Sequence, residues 1–359
     1  MTLTHYSWPV SPYSAKTRAY LAFKGADFVD VVPSARMLYG PIKKAVGRMV
    51  MPTVKRADGS WLQDSSEIID TLEGELDGPS ITPPGPTQRL AQLLLELHGD
   101  EWLPMVAMHS RWNNERNAEF AKTEFARYGM PLLLTAIGRR FTAPIAEKMA
   151  GYLPLLGVDG RTAPGVESFA RELIARLNVH LADHPFLLGT RPGIGDFALY
   201  APLWAHTWRD PGTRDWFSDA RHVKAWFDRL IEPSGEAGEF FPTDEVPITL
   251  DPIFRTLFAE QWRYTDALIA AIDAWCAEHP DATRVPRSLG NTAFVIGGAQ
   301  GERRLITFSA WMAQRPLDAY AAGDGAADAW LGQVGGTDLT KTRIANRQVR
   351  RDFKMGLER

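Results

Sequence analysis

The sequence has little of what marks several large classes of protein. Only one of its 359 residues, Cys276, is a cysteine, which excludes an internal disulfide, a thiolate zinc cage and a Cys-x-x-Cys redox pair. No apolar run approaches the roughly 18 residues of a membrane-spanning helix, and the first residues show no basic segment followed by an apolar one. We therefore expect a cytoplasmic protein.

The charge of the chain is nearly balanced. Forty Lys and Arg residues face 43 Asp and Glu residues, a net charge of -3, which argues against a general electrostatic grip on nucleic acid or on an anionic membrane. The hydrophobic share of 45% and the charged share of 23% are typical of globular proteins. We expect two or three folded domains and small-molecule partners, with no nucleic-acid or membrane partner.

The first 80 residues alternate extended and helical patterns over short distances. Ser11 and Pro12 follow a predicted strand and are typical of a helix N-cap and a first helical turn. Phe28 to Val32 is a second β-rich run, so a parallel βαβ unit is expected. Ala57 to Gly59 separates two further short strands, and a helix follows Asp64. The predicted order is β-α-β-α-β-β-α.

Breaker residues divide the rest of the chain. A cluster of glycines and prolines between residues 78 and 86 predicts a linker, and amphipathic helical patterns follow it to about Phe241. Beyond them we predict a long helix, a β-hairpin around three glycines and another helix. The expected domains are an α/β domain over 1–80, an all-α domain over 87–241 and an α+β extension over 245–359, packed on the helical domain.

The start of the first helix carries the clearest chemical signal. Ser11, Pro12, Tyr13 and Ser14 have the spacing of the glutaredoxin motif Cys-Pro-Tyr-Cys, with serine at both cysteine positions. Backbone N–H groups and the helix dipole stabilise an anion at such a terminus, and a thiolate is one such anion. Because the serines cannot form a disulfide, the thiol has to arrive on a bound substrate.

With this motif, the βαβαββα order, the breaker linker and the helical second domain, residues 1 to about 241 resemble the glutathione transferase superfamily. The resemblance implies a thioredoxin-like domain that binds glutathione as a substrate and a helical domain that lines a hydrophobic substrate site. It also implies a detoxifying transferase and a homodimer. The extension beyond about residue 245 departs from the family pattern and is long enough to cover the cleft.

The resemblance implies roles for five residues of the first domain. Met51 and Pro52 occupy the place of the family's cis-proline, where the residue before the proline bonds the cysteinyl backbone of glutathione. Asp64 and Ser65 match the acid–serine pair that anchors the γ-glutamyl group. Arg48 is a candidate for binding the glycyl carboxylate.

Two hydroxyls compete for activation of the thiol. Ser11 takes the position used by serine-type members of the family, and we favour it because the Ser-Pro pair keeps the helix-cap context. Tyr6 takes roughly the position used by tyrosine-type members, and Ser14 is a fallback. The structural alternative is that Ser11 only caps the helix and that Tyr6 is a core residue.

An aromatic stripe in the helical domain is the candidate wall for a hydrophobic electrophile. Its members recur at helical spacing: Trp102, Met105, His109 and Trp112. Such walls suit apolar substrates, although a stripe of this kind also fits a domain core.

Three other features of the sequence are not assigned to a catalytic or binding site. Cys276 and His279 lack further ligands, so no metal is predicted. Gly193 and Asp196 resemble a helix-capping box and are given a folding role. The basic C-terminus is interpreted as a solvated or intersubunit segment.

Three functions remain open from the sequence. We favour a glutathione transferase that activates the thiol for attack on a hydrophobic electrophile. A glutathione-dependent ether-cleaving enzyme, similar to bacterial β-etherases, uses the same thiolate and releases a leaving group. The third is a glutathione-binding or interaction protein without turnover.

Overall fold

The computed structural model describes residues 2–358 and begins with a four-stranded sheet. The strands are β1 (Leu3–Tyr6), β2 (Phe28–Val31), β3 (Thr53–Lys55) and β4 (Trp61–Gln63). They lie in the order β2-β1-β3-β4, with β1 parallel to β2 and antiparallel to β3, and β3 antiparallel to β4. This is the predicted thioredoxin-like arrangement.

Four helices accompany this sheet. They are α1 (Pro12–Phe23), α2 (Ala35–Met37), α3 (Lys43–Val46) and α4 (Ser65–Glu73), with a π-helical segment at Leu38–Ile42 between α2 and α3. Ser11 caps α1 and Pro12 occupies its first turn, as predicted. The order β-α-β-α-β-β-α is confirmed, except that the loose second helix consists of short pieces.

The middle of the chain is helical. Its α-helices are α5 (Pro86–Leu97), α6 (Pro104–Trp112), α7 (Glu115–Gly129), α8 (Thr135–Ala150), α9 (Ala163–His180), α10 (Ile194–Pro202) and α11 (Arg221–Ile231). Among the predicted amphipathic patterns, the stretch over 115–150 forms two helices and not one, because the chain turns at Pro131. The backbone N–H of Gly193 donates to Asp196 at 3.0 Å, so the capping interaction forms although the cap residue is glycine.

The extension contains four α-helices and two hairpins. They are α12 (Asp251–Thr256), α13 (Arg263–Glu278), β5 (Ser288–Ile296), β6 (Ala299–Ile306), α14 (Phe308–Ala322), α15 (Asp328–Val334), β7 (Gln348–Arg351) and β8 (Lys354–Leu357). The β5–β6 hairpin was expected, and it turns at Gly297 and Gly298, both with positive φ. The single helix predicted to follow it is interrupted after Ala322, and the β7–β8 hairpin was not predicted.

The three regions share one hydrophobic core. Most buried apolar side chains of the sheet, the helical domain and the extension belong to one packed cluster, which includes residues from Leu3 to Leu357, and a small second cluster joins Trp8 and Val10 to Phe125 and Ala146. Phe254 and Trp330 pack edge to face within the extension at 4.8 Å between ring centroids. The extension is therefore docked on the body of the molecule. Over residues 2–358, none of the helices has the length and apolarity needed to cross a membrane.

Candidate active site

A cavity of about 360 Å³ lies where the sheet domain, the helical domain and the extension meet. Its size is at the lower end of typical small-molecule sites. Its walls combine charged groups with apolar ones. The first domain contributes Tyr13, Arg48, Val50, Met51, Pro52, Gln63, Asp64, Ser65 and Ser66, and the helical domain contributes Asp100, Glu101, Pro104 and Leu156. The extension contributes Arg303, Ile306, Phe308, Met312, Arg350 and Met355.

Asp64 is placed on this wall by the start of α4. Its carboxylate caps the helix, because Oδ1 accepts hydrogen bonds from the backbone N–H groups of Ser66 at 3.1 Å and Glu67 at 3.4 Å. Its φ of 84° is rare for a residue other than glycine, and such backbone conformations concentrate at functional sites. Ser65 follows as the first residue of α4 and is buried. The predicted acid–serine pair therefore lies at a helix N-terminus, where an anion is favoured.

Met51 and Pro52 lie directly before β3, and both line the cavity. The peptide bond between them is cis. Arg48 lines the same cavity. The resemblance assigned five residues to glutathione binding, in addition to the hydroxyl that activates the thiol. All five line this one cavity.

The start of α1 lies beside this space. Ser11 Oγ accepts a hydrogen bond from the Ser14 backbone N–H at 3.3 Å, and Ser14 Oγ accepts one from the Trp8 backbone N–H at 3.3 Å. Ser14 is buried, whereas Ser11 is partly exposed, and neither serine is among the residues that line the cavity. The intervening Tyr13 does line it and donates from its hydroxyl to the Asp100 carbonyl at 3.0 Å. Burial raises the pKa of Tyr13 well above its ordinary value, so this phenol stays protonated.

Tyr6 lies at the end of β1, away from the cavity lining. Its ring stacks on that of Trp61 with centroids 5.4 Å apart.

The aromatic stripe of the helical domain is mostly packed inside the protein. Trp102 and Met105 are fully buried, and Trp102 packs against Tyr264 and Phe294 of the extension. His109 is partly exposed and contacts Asn113, and the ring of Trp112 packs against that of Phe125. These four side chains are absent from the lining of the described cavity, and the extension contributes four of its apolar residues, Ile306, Phe308, Met312 and Met355.

A buried charge network lies behind the cavity and was not predicted. Lys16 of α1 is fully buried, and its Nζ contacts Asp100 at 2.6 Å, Glu96 at 2.8 Å and Ser66 at 3.1 Å. Although burial opposes ionisation, Arg315 and Lys16 hold the pKa of Glu96 below its usual range, at about 2. The network ties α1, α4, α5 and α14 together, and the bonds that Lys16 and Arg315 make in it join residues 50 to 219 positions apart in the sequence.

Two family models match the regions that build this site. The model described as "Glutathione S-transferase, N-terminal domain" matches residues 10–75, and "Glutathione S-transferase, C-terminal domain" matches residues 168–229. The chain belongs to the glutathione transferase superfamily.

Solved structures similar to this superfamily member include a β-etherase, a GST-like protein and a glutathione S-transferase. The β-etherase LigF from Sphingobium sp. strain SYK-6 is 22% identical with a TM-score of 0.44, covering 66% of this chain and 97% of that one. A GST-like protein from Pseudomonas syringae is 22% identical with a TM-score of 0.44, covering 64% and 66%. A glutathione S-transferase from Methylobacillus flagellatus with GSH bound is 15% identical with a TM-score of 0.39, covering 65% and 96%. No curated protein matches the chain. Membership rests on the two domain matches.

The C-terminal hairpin of this superfamily member closes one side of the cavity and lies outside both domain matches. Arg350 of β7 contacts Glu67 Oε2 at 2.7 Å and Asp64 Oδ2 at 3.7 Å, and it donates to Gln63 Oε1 at 2.6 Å. Arg48 donates from Nη2 to the Phe353 carbonyl at 2.7 Å. The basic segment is thus held by specific contacts with the sheet domain and is not merely solvated.

No metal site accompanies the cavity. Across residues 2–358, histidine, cysteine and carboxylate side chains form no group of three or more that could hold an ion.

Proposed function

We propose that the chain is a glutathione transferase that binds glutathione in the cavity and activates its thiol for attack on a hydrophobic electrophile. The observation that carries the proposal is the convergence of Arg48, Met51, Pro52, Asp64 and Ser65 on one cavity. These residues come from one loop before β3 and from the start of α4, and together they line a space large enough for a small molecule.

Each polar group has a distinct role in binding the tripeptide. The Asp64 carboxylate takes the ammonium of the γ-glutamyl group, and Ser65 with the start of α4 takes its carboxylate. The main chain at Met51 bonds the cysteinyl backbone. Arg48 binds the glycyl carboxylate through hydrogen bonds from its guanidinium group.

Ser11 is the preferred group for stabilising the thiolate. Its Oγ accepts the bond from Ser14, and no residue in 2–358 accepts the hydrogen of its hydroxyl, which leaves this hydrogen available to a guest sulfur. A hydrogen bond to a charged group contributes roughly 1.5 to 3 kcal/mol, or about one to two pKa units from a free thiol value of about 8.5. The proton passes to solvent, the sulfur bonds the electrophilic atom, and the leaving group departs.

The electrophile is placed against the apolar side of the cavity. Leu156, Ile306, Phe308 and Met312 line this side, three of them from the extension. This proposal replaces the wall of Trp102 and its neighbours as the main contact surface, because Trp102 and Met105 are packed in the core and none of the four side chains lines the cavity. The extension is therefore expected to contribute to substrate choice.

The test is a pH titration of thiolate absorbance with glutathione bound to the wild-type chain, Ser11→Ala and Tyr6→Phe. We expect a lowered thiol pKa in the wild type, a rise of about one to two units in Ser11→Ala and little change in Tyr6→Phe. The reverse result transfers the role to Tyr6. Binding with an unshifted thiol titration contradicts catalysis, and absence of binding contradicts the proposal as a whole. Product analysis then distinguishes transfer from ether cleavage.

A homodimer and a cytoplasmic location belong to the same proposal. Large apolar side chains at the turn between α7 and α8 and within α8 are exposed, including Leu132 at 97% and Leu134 at 76% in the turn and Phe141 at 61% in the helix. Such a patch is typical of a protein interface. Sedimentation velocity of the wild-type chain tests the dimer.

A further inference from the structure

Arg303 is a buried cation with unused hydrogen-bond donors. It lies on β6, is 1% exposed and lines the cavity. Its Nη2 donates to the backbone carbonyl of Glu101 at 2.7 Å, whereas its Nε and Nη1 have no hydrogen-bond partner. Within residues 2–358 it forms no ion pair with a carboxylate. Buried arginines are almost always paired, so this arrangement calls for an explanation.

The surroundings of Arg303 fix the guanidinium without neutralising it. The guanidinium carbon lies 4.8 Å from the ring centroid of Trp102 and 4.5 Å from that of Tyr264. The carboxyl of Glu101 instead accepts a hydrogen bond from Ser309. Burial raises the pKa of Glu101 to about 8, so this group is largely uncharged at neutral pH. The arginine keeps its charge.

The other acids of the cavity already have cationic partners. Asp100 contacts Lys16 at 2.6 Å, and Asp64 faces Arg350 at 3.7 Å. Arg303 is therefore left with an unbalanced positive charge beside the apolar side chains of Ile306 and Phe308. A ligand that complements this part of the cavity combines an apolar body with an anionic group.

We propose that Arg303 binds the carboxylate of an apolar acid held in the cavity. This inference rests on the proposed function, and it identifies the second substrate of the transferase as an apolar carboxylic acid. The planar guanidinium offers its free Nε–H and Nη1–H groups to the carboxylate oxygens. The glycyl carboxylate of glutathione shares this chemistry, and the experiment separates the two sources.

The test compares benzoate with benzamide, two ligands of similar shape of which only one is charged. Their dissociation constants are measured calorimetrically for the wild-type chain, Arg303→Met and Arg304→Met, with and without saturating glutathione. Arg304 is the matched control because it is the next residue on β6 and is absent from the cavity lining. Wild type and Arg304→Met are expected to prefer benzoate by about 10- to 150-fold, which corresponds to a charge-assisted hydrogen bond, and Arg303→Met is expected to lose the preference.

Several results would overturn the proposal. Equal binding of the two ligands by the wild type contradicts it without reference to any variant, as does a preference that survives in Arg303→Met. A purely structural Arg303 would lower the melting temperature on substitution and leave the benzoate-to-benzamide ratio unchanged. If Arg303→Met does not fold, Arg303→Lys takes its place. This variant should keep only part of the preference for benzoate, because a single ammonium replaces the planar guanidinium with its two parallel N–H donors.

A second comparison identifies which carboxylate Arg303 binds. It measures the binding of glutathione and of glutathione amide, in which the glycyl carboxylate is replaced by an uncharged amide. If Arg303 serves the second substrate, Arg303→Met binds both forms as the wild type does, and the benzoate preference persists with glutathione bound. Selective loss of glutathione affinity, with the amide unaffected, would instead assign Arg303 to the glycyl carboxylate and overturn the second-substrate assignment. Failure of glutathione to bind at all contradicts the proposed function, while the benzoate comparison still decides the role of Arg303.

Discussion

At the scale of single residues, Asp64 combines a structural and a proposed binding role that substitutions can separate. Its carboxylate caps α4, and its φ of 84° suits asparagine better than alanine. Asn keeps the capping oxygen and loses the charge, whereas Ala loses both. The two variants should therefore differ in stability, whereas both remove the negative charge from the proposed ammonium site.

We predict that Asp64→Asn and Asp64→Ala both weaken glutathione binding by roughly tenfold or more, since each loses a charge-assisted contact. The free energy of unfolding should fall by about 1 kcal/mol in Asp64→Ala and by much less in Asp64→Asn. Calorimetric titration and urea denaturation measure the two effects. Asp77→Asn, an exposed site, is the charge-matched control. Wild-type affinity in Asp64→Asn would remove Asp64 from the binding site.

Residues also show what the sequence could and could not predict. Asp64, Ser65 and Pro52 match family motifs that can be read from neighbouring residues, so the resemblance singled them out, and all three line the cavity. Lys16 and Arg303 become informative only through partners far along the chain, such as Asp100, which is 84 residues from Lys16. A buried lysine or arginine looks like any surface residue in a single sequence, because burial is decided by the packing of distant elements.

At the scale of elements, regular patterns were predictable and irregular ones were not. The order of strands and helices in the first domain and the β5–β6 hairpin have clear periodicity and turn residues, and both are present. The β7–β8 hairpin has short strands of four residues each in a basic segment without alternation. Its position depends on side-chain contacts with the sheet domain and with α14, where Gln348 and Gln314 exchange two hydrogen bonds.

We predict that Arg350→Met loosens this hairpin while the helical domain stays intact. Arg350 is buried against the sheet domain, and it joins β7 to Glu67 and Gln63. Loss of these bonds should lower the local opening free energy by roughly 1 to 3 kcal/mol, which speeds amide hydrogen exchange of residues 348–357 by about 5- to 150-fold. Arg351→Met, the exposed neighbour on the same strand, is the control. Equal protection in both variants would mean that Arg350 does not hold the hairpin.

At the scale of the whole molecule, buried ionisable groups make stability depend on pH in two opposite ways. Burial lowers the pKa of His98 and His180 to about 4 from an ordinary value of 6.5, so the unfolded chain binds more protons between these values and stability rises with pH there. Burial raises the pKa of Glu101 to about 8 and that of Glu260 to about 7, so the folded chain binds more protons above pH 4.5. Above pH 6.5 the histidines no longer contribute, and stability falls.

We therefore predict that the free energy of unfolding declines between pH 6.5 and pH 9 and that Glu101→Gln reduces this decline. With a folded pKa of about 8, Glu101 alone accounts for a loss of about 2 kcal/mol over this interval, because its protonated form is retained only in the folded state. Gln keeps a partner for Ser309 and does not ionise. Urea denaturation at the two pH values measures the difference, with the exposed Glu236→Gln as the control. A decline of wild-type size in Glu101→Gln would show that Glu101 ionises normally, and Arg303 would then face an acidic partner that balances its charge.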